Sequence, residues 1–221
     1  MNARVVSQES LSQHERAAML ELLQTYFEGV SAESFARDLG EKHWAILLED
    51  ASGRLRGFST LCVYQSGATG VRVAYSGDTI VEPAAWGSSL LAKTFLTVIG
   101  ETRPEYWLLL ASGFRTYRFL PVFWREFWPR YDAPGRPALL HALARERFRH
   151  RYDERTGVVR LENFQVLRNG LQAIPGGRMT DPHVAFFLQA NPGHDRGNEL
   201  VSLCPLSAAN QTPAGKRLVA L

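Results

Sequence analysis

Residues 71–91 read VRVAYSGDTIVEPAAWGSSLL. The first half, Val71–Val81, is rich in β-formers and reads as an extended segment. Pro83 then resets the chain. From Trp86 to Gly100 the pattern turns helical, with Leu90, Leu91, Thr94, Phe95 and Val98 on one stripe. A strand that hands over to a helix through Pro and Gly leaves the first helical N–H groups without partners, and the helix dipole adds partial positive charge there. Such an end can hold a phosphate or pyrophosphate without a basic side chain. Gly87 permits close approach, and Ser88 and Ser89 add hydroxyls. A plain structural turn is the competing reading.

The elements around this turn set the fold class. Ser12 and Glu15 have the spacing of a capping box, and Met19, Leu22, Leu23, Tyr26 and Phe27 follow at helical intervals up to Gly29. Ser31 opens a second, shorter helix ended by Gly40. His43–Glu49 and Leu55–Tyr64 are strand-like, joined by the hairpin sequence DASG at 50–53. After the central helix, Tyr106–Ala111 is a continuous apolar run of the kind a doubly buried strand shows. Phe114–Trp128 reads as an aromatic helix interrupted at Pro121 and ended by Pro129.

Further on, Ala138–Phe148 is a helix, and Arg149–Arg155 is helix or loop. Val158–Leu161, Phe164–Leu167 and Leu200–Leu206 are strand candidates, and His183–Ala190 is strand or helix. Early antiparallel strands followed by a strand–helix–strand crossover predict α/β architecture: one mixed α+β sheet with helices on both faces.

Composition narrows the function classes. The chain has 221 residues, 45% hydrophobic and 21% charged, enough for a packed core. A net charge of +3 does not suit a dedicated nucleic-acid binder, though it favours a polyanionic small ligand. Cys62 and Cys204 are 142 positions apart and read as free thiols of a reducing compartment. No apolar run has the length of a signal-peptide core or a membrane span, so a soluble cytoplasmic protein is expected. His183 and His194 flank Asn191–Gly193, at a spacing that fits no short metal motif, and no metal is expected. Nucleophile-elbow, Walker and dinucleotide-binding patterns are absent.

The order of elements resembles that of the GNAT superfamily, the acyl-CoA N-acyltransferases. Their central motif runs V-x-P-x-x-R-G-x-G-x-G, and Val81, Pro83 and Gly87 stand in register with it. Trp86 replaces the motif's Arg, and Ser89 and Leu91 replace two glycines. The similarity covers about residues 5–130. It implies a GNAT-like core at 1–133, with 134–221 as a C-terminal elaboration completing the same domain.

The resemblance further implies an acyl-CoA or CoA co-substrate held by Ile80, Val81, Trp86, Gly87, Ser88 and Ser89. Asp78 becomes the candidate base, and bracing the turn after Gly77 is its structural alternative. The family's acid, a Tyr, aligns with Phe123, and its Asn with Arg115. Tyr117 on the same segment is the substitute, with a packed aromatic as the alternative. The aromatic block at 114–128 is core or, as in long-chain relatives, a channel for an acyl chain carried on CoA or acyl carrier protein. The basic cluster Arg145, Arg147, Arg149, His150, Arg151 and Arg155 is a solvated face or a dock for an acidic partner. The expected activity is acyl transfer to the amine of a small molecule. The competing expectation is a catalytically silent domain that binds a ligand or a protein.

Overall fold

A computed structural model describes residues 1–160, 165–168, 174 and 176–219. In chain order the elements are β1 (Asn2–Ser7), α1 (Gln13–Tyr26), β2 (Phe27–Glu28), α2 (Ala32–Gly40), β3 (Trp44–Glu49), β4 (Leu55–Gln65) and β5 (Arg72–Val81). Then come α3 (Leu90–Thr102), β6 (Tyr106–Ala111), α4 (Phe114–Tyr117), α5 (Phe119–Phe123) and α6 (Ala138–Phe148). The chain closes with β7 (Tyr152–Asp153), β8 (Val158–Arg160), β9 (Val166–Leu167), α7 (Pro182–Ala190), β10 (Asn198–Pro205) and α8 (Pro213–Val219).

Eight strands form one sheet in the order β1-β3-β4-β5-β6-β10-β8-β7, and β2 and β9 pair separately. All neighbours in the large sheet are antiparallel except β5 and β6, which are linked by the α3 crossover and run parallel. The mixed α/β class expected from the sequence is therefore observed. The expected Ser12–Glu15 capping box forms, with Glu15 N–H donating to Ser12 Oγ at 3.2 Å and Ser12 N–H to Glu15 Oε2 at 2.7 Å. The β3–β4 hairpin closes through Asp50 and Arg54, with Gly53 at φ 81° supplying the left-handed turn residue.

The two faces of the sheet carry different helices. α3, α7 and the short aromatic helices pack one face, around Leu91, Phe95, Leu109, Tyr117 and Phe187. On the other face, α6 covers Val73, Tyr75, Val201 and Leu203, while α1 and α2 cover Ala45, Phe58 and Ile80. Burial of these branched and aromatic side chains stabilises each layer by about 25 cal/mol per Å² of apolar surface removed from water.

Several expectations change. The Asn2–Ser7 edge strand was not foreseen, and His183–Ala190 resolves to a helix, α7. The aromatic segment 114–128 is not one helix. It breaks at Arg118, and α5 stops at Phe123. Pro121 falls within the first turn of α5, where its missing N–H costs nothing. Trp124 and Trp128 then bridge in extended conformation to Gln211 and Leu203. Leu161 and Phe164, ends of two expected strands, lie outside the described residues.

Candidate active site

β5 carries the feature that shapes the cleft. Its register with β4 shifts between Ser59↔Thr79 and Leu61↔Ser76. Gly77 and Asp78 thus lie opposite the single residue Thr60, a β-bulge. The bulge changes which side chains share a face. Val73 and Tyr75 point toward α6 before it, and Asp78 and Ile80 take that side after it, a step of three in place of two.

The bulge also coincides with the end of β5–β6 pairing. The parallel ladder runs from Val73↔Tyr106 to Ser76↔Leu109 and goes no further, although β5 continues to Val81 and β6 to Ala111. The two strands diverge beyond Ser76. Glu82 N–H donates to the Arg56 carbonyl, so strand alternation turns the backbone groups of Thr79 and Val81 away from β4 and into the gap. The Trp86 indole N–H fills part of it by donating to the Val81 carbonyl at 2.8 Å.

Two cavities flank this gap, and both are lined by Phe27, Ser76, Thr79, Ser112 and Thr116. The first, of about 470 Å³, lies on the α3 side. Ile80, Val81, Trp86, Ser88, Leu91 and Phe95 form one wall, with Trp107, Phe114, Arg115 and Phe119 opposite. The start of α3 opens onto it, and Ser89 at the N-cap makes no side-chain capping bond. Trp86 is 43% exposed and stacks under the Arg115 guanidinium, 3.9 Å from the ring centroid. Arg115 thus supplies a cation from α4 beside the position where the GNAT motif has arginine. Gly87 and Ser89 do not line the cavity. Leu91, at one of the missing glycines, is buried and occupies the cavity floor.

The second cavity, of about 680 Å³, lies between α2 and α6 and is polar. Asp78 of β5 and Glu199 of β10 both face it, with Asp38 on the α2 wall. Burial pushes the Asp78 carboxyl up to about 7, helped by the negative charge of Asp38 and opposed by Lys42. Glu199 is pushed up to about 8, first by burial and then by Asp78 and Asp38. Lys42 is itself buried and bound to Asp38, with Nζ 2.6 Å from Oδ2 and donating to the Asp38 carbonyl at 3.0 Å. Groups whose proton affinities move toward neutrality inside a cleft are the kind that trade protons at physiological pH.

Glu199 was missed in the sequence. Its signal was alternation, since 199, 201 and 203 share a face and only the first is charged. Ser112, just after β6, and Thr116, within α4, were missed as well, having no motif of their own.

Tyr117 requires a correction. It is fully buried, packs against Phe127, Phe186 and Phe187, and lines neither cavity. Its hydroxyl donates to the Pro129 carbonyl at 2.9 Å, and burial raises its proton affinity well above a free phenol. It belongs to the packed aromatic core, and so does most of the 114–128 block. The basic cluster is not a uniform solvated face either. Arg145 pairs with Glu154 at 2.6 Å and Arg147 with Glu41 at 2.7 Å, while Arg147, Arg149, His150 and Arg151 line the polar cavity. Among the described residues no group of His, Cys, Asp and Glu could hold a metal ion, and no helix is long and apolar enough to cross a membrane. Cys62 and Cys204 are free and buried.

No protein-family model and no curated protein matches the sequence. Solved structures similar to it include N-acyltransferases. A probable N-acyltransferase of Enterococcus faecalis matches with a TM-score of 0.43 and 19% identity over 59% of this chain and 37% of its own. The GNAT family N-acetyltransferase YhbS of Escherichia coli, solved in complex with CoA, matches with a TM-score of 0.40 and 15% identity over 51% and 64%. Glucosamine-6-phosphate N-acetyltransferase of Arabidopsis thaliana gives 0.37 and 15% over 49% and 82%. The matched region spans less than two thirds of the first two proteins. At these scores the likeness is one of shape over about half the chain.

Proposed function

We propose that the protein transfers an acyl group from a thioester carrier, acyl-CoA or acyl carrier protein, to the amine of a small molecule. The observation that carries this reading is the diverging β5–β6 pair, which opens one gap between an apolar cavity and a polar one. A thioester arm lying in the gap would meet the backbone of Thr79 and the Val81 N–H, the Val81 carbonyl being held by Trp86. The start of α3 and Arg115 suit the phosphate end. Ile80, Val81, Trp86 and Ser88 are the cofactor-side residues in this reading, with Gly87 and Ser89 shaping the turn.

The amine enters from the polar cavity. Its nitrogen attacks the thioester carbonyl carbon, a C–N bond forms, and the C–S bond breaks. One proton leaves nitrogen for the Asp78 carboxylate, a base whose proton affinity lies near neutrality. The sulfur leaves as thiolate, and an alkyl thiol of pKa about 8.5 needs no obligatory acid for that step. Ser76, Thr79, Ser112 and Thr116 line both cavities and bring hydroxyls to their junction. The burial of Tyr117 favours the second reading, a silent domain that binds the same ligands without turnover.

Calorimetric titration with CoA, acetyl-CoA and a long-chain acyl-CoA tests the reading. Binding of at least one, followed by amine-dependent thiol release, supports the transferase. Binding without release supports the silent domain. No binding by any of the three would sink the CoA reading.

A further inference from the structure

The polar cavity sorts its charges by position. Asp78 and Glu199 lie on the sheet floor; on the walls Asp38 is held by Lys42 from behind, Arg147 pairs with Glu41, and Glu146 accepts from Ser66 Oγ and the Gly67 N–H. Three cations are left over. Arg37 on the exposed side of α2, and Arg149 and Arg151 after α6, line the same cavity, and among the described residues none of them lies in an ion pair. Arg149 is also held at φ 54° and ψ −130°, a backbone conformation normally left to glycine. That conformation turns the chain sharply at the end of α6 and carries residues 149–151 along the cavity wall. A non-glycine residue kept in such a place, when glycine would relieve the strain, marks a position where the side chain has a use.

We infer that the molecule accepted in this cavity is zwitterionic: an amine directed to Asp78 and Glu199, and a carboxylate or phosphate directed to Arg37, Arg149 and Arg151. A bare amine would leave the three guanidinium groups unmatched, and a bare anion would face the two floor carboxylates. A molecule carrying both groups sets its amine against the floor carboxyl groups and its anion against the guanidinium groups. The cavity's volume of about 680 Å³ has room for an amino acid or an aminoalkyl phosphate. Arginine forks suit both anions, because two N–H groups reach two oxygens at once.

This inference refines the acceptor side of the proposed transferase, and calorimetry can test it without turnover. The probes are matched pairs with and without the acidic group: tyrosine and tyramine, ornithine and putrescine, phosphoethanolamine and ethanolamine. At least one acid-bearing member should bind about tenfold more tightly than its partner, the gain expected of one charge-assisted pair. Arg37→Gln and Arg149→Gly should each erode that preference and leave the affinity for the plain amine within about twofold. Arg149→Gly also relieves the strained backbone, so the variant should fold. Equal binding within every pair, no binding by any acid-bearing probe, or a preference that survives both substitutions overturns the inference. Amino-acid binding without any acyl-CoA binding would sink the CoA reading of the transferase and leave this inference standing. Acyl transfer to plain amines with no acid preference would do the reverse.

Discussion

Asp78 and Glu199 stand at the same end of the sheet, one strand to either side of β6, and face one cavity from β5 and β10. Each is buried enough to keep its proton far above the ordinary carboxylate range, and the negative charge of Asp78 raises Glu199 further. The step that puts Asp78 on this face is the bulge at Gly77–Asp78, without which Asp78 would alternate to the α3 side.

If Asp78 takes the proton from the attacking amine, Asp78→Asn should lower kcat by about 10² to 10⁴, the usual contribution of a positioned base. Affinity for acyl-CoA should stay within about twofold, because the cofactor-side wall is built by other residues. The wild-type rate should rise with pH through about 7, where Asp78 deprotonates. Glu199→Gln should leave that rise near pH 7, because Glu199 still holds its proton where Asp78 deprotonates, whereas Asp38→Asn should move it to lower pH by removing a neighbouring negative charge. A pH–rate profile indifferent to both Asp78→Asn and Asp38→Asn would remove Asp78 from the chemistry.

The same two groups tie stability to pH. Both have folded-state proton affinities raised above those of the unfolded chain. Between about pH 4 and 7 the folded protein therefore holds protons that the unfolded chain has released, and stability falls as pH rises. The slope is about 1.4 kcal/mol per pH unit for each retained proton. Urea unfolding at pH 5 and pH 8 should show the higher midpoint at pH 5, and Asp78→Asn or Glu199→Gln should flatten the difference. A wild-type protein equally stable at both values contradicts the burial of these carboxyls.

Tyr117→Phe distinguishes core from catalyst. The substitution removes one buried hydrogen bond to the Pro129 carbonyl. It should cost about 1 kcal/mol of stability and leave kcat unchanged. A loss of activity of a hundredfold or more would restore Tyr117 as an acid acting in a rearranged cleft.

The central strands were legible because their chemistry is local. His43–Glu49, Leu55–Tyr64 and Val71–Val81 are dense in β-formers and punctuated by Asp-Ala-Ser-Gly and paired glycines, so β3, β4 and β5 follow from neighbouring residues alone. Asp78 was singled out only through the GNAT resemblance, which implies a carboxylate base on or near this strand. β1 could not be read: Asn2–Ser7 is short, and as an edge strand it leaves Val5 41% exposed, so alternation is blurred. The partners of β6 were equally hidden. Leu200–Leu206 looks like a strand, but only the folded chain shows that β10 pairs with β6 and carries Glu199 to within reach of Asp78. Tyr117 erred in the other direction. Its place on an aromatic segment after a strand suggested the cleft, and packing against Phe186 and Phe187 from α7, some 70 residues on, put it in the core.

Gly77 offers the most direct test of the bulge. A Cβ built there would overlap Lys42 Cε and stand 2.7 Å from Thr60 Oγ1. Lys42 cannot move aside cheaply, because it is buried, bound twice to Asp38 and seated 5.4 Å from the centre of the Tyr75 ring. Gly77→Ala should therefore destabilise the fold by about 1–3 kcal/mol, the range for overpacking a close-packed site. It should also depress kcat beyond what lost stability explains, since the strand must shift at the residue before Asp78. Shortening the lysine removes the obstacle, so the cost of Gly77→Ala should be smaller in a Lys42→Ala background, with a coupling energy of at least about 0.5 kcal/mol. Additive effects of the two substitutions would mean that the lysine does not press on the bulge, and the geometry that turns Asp78 into the cleft would need another cause.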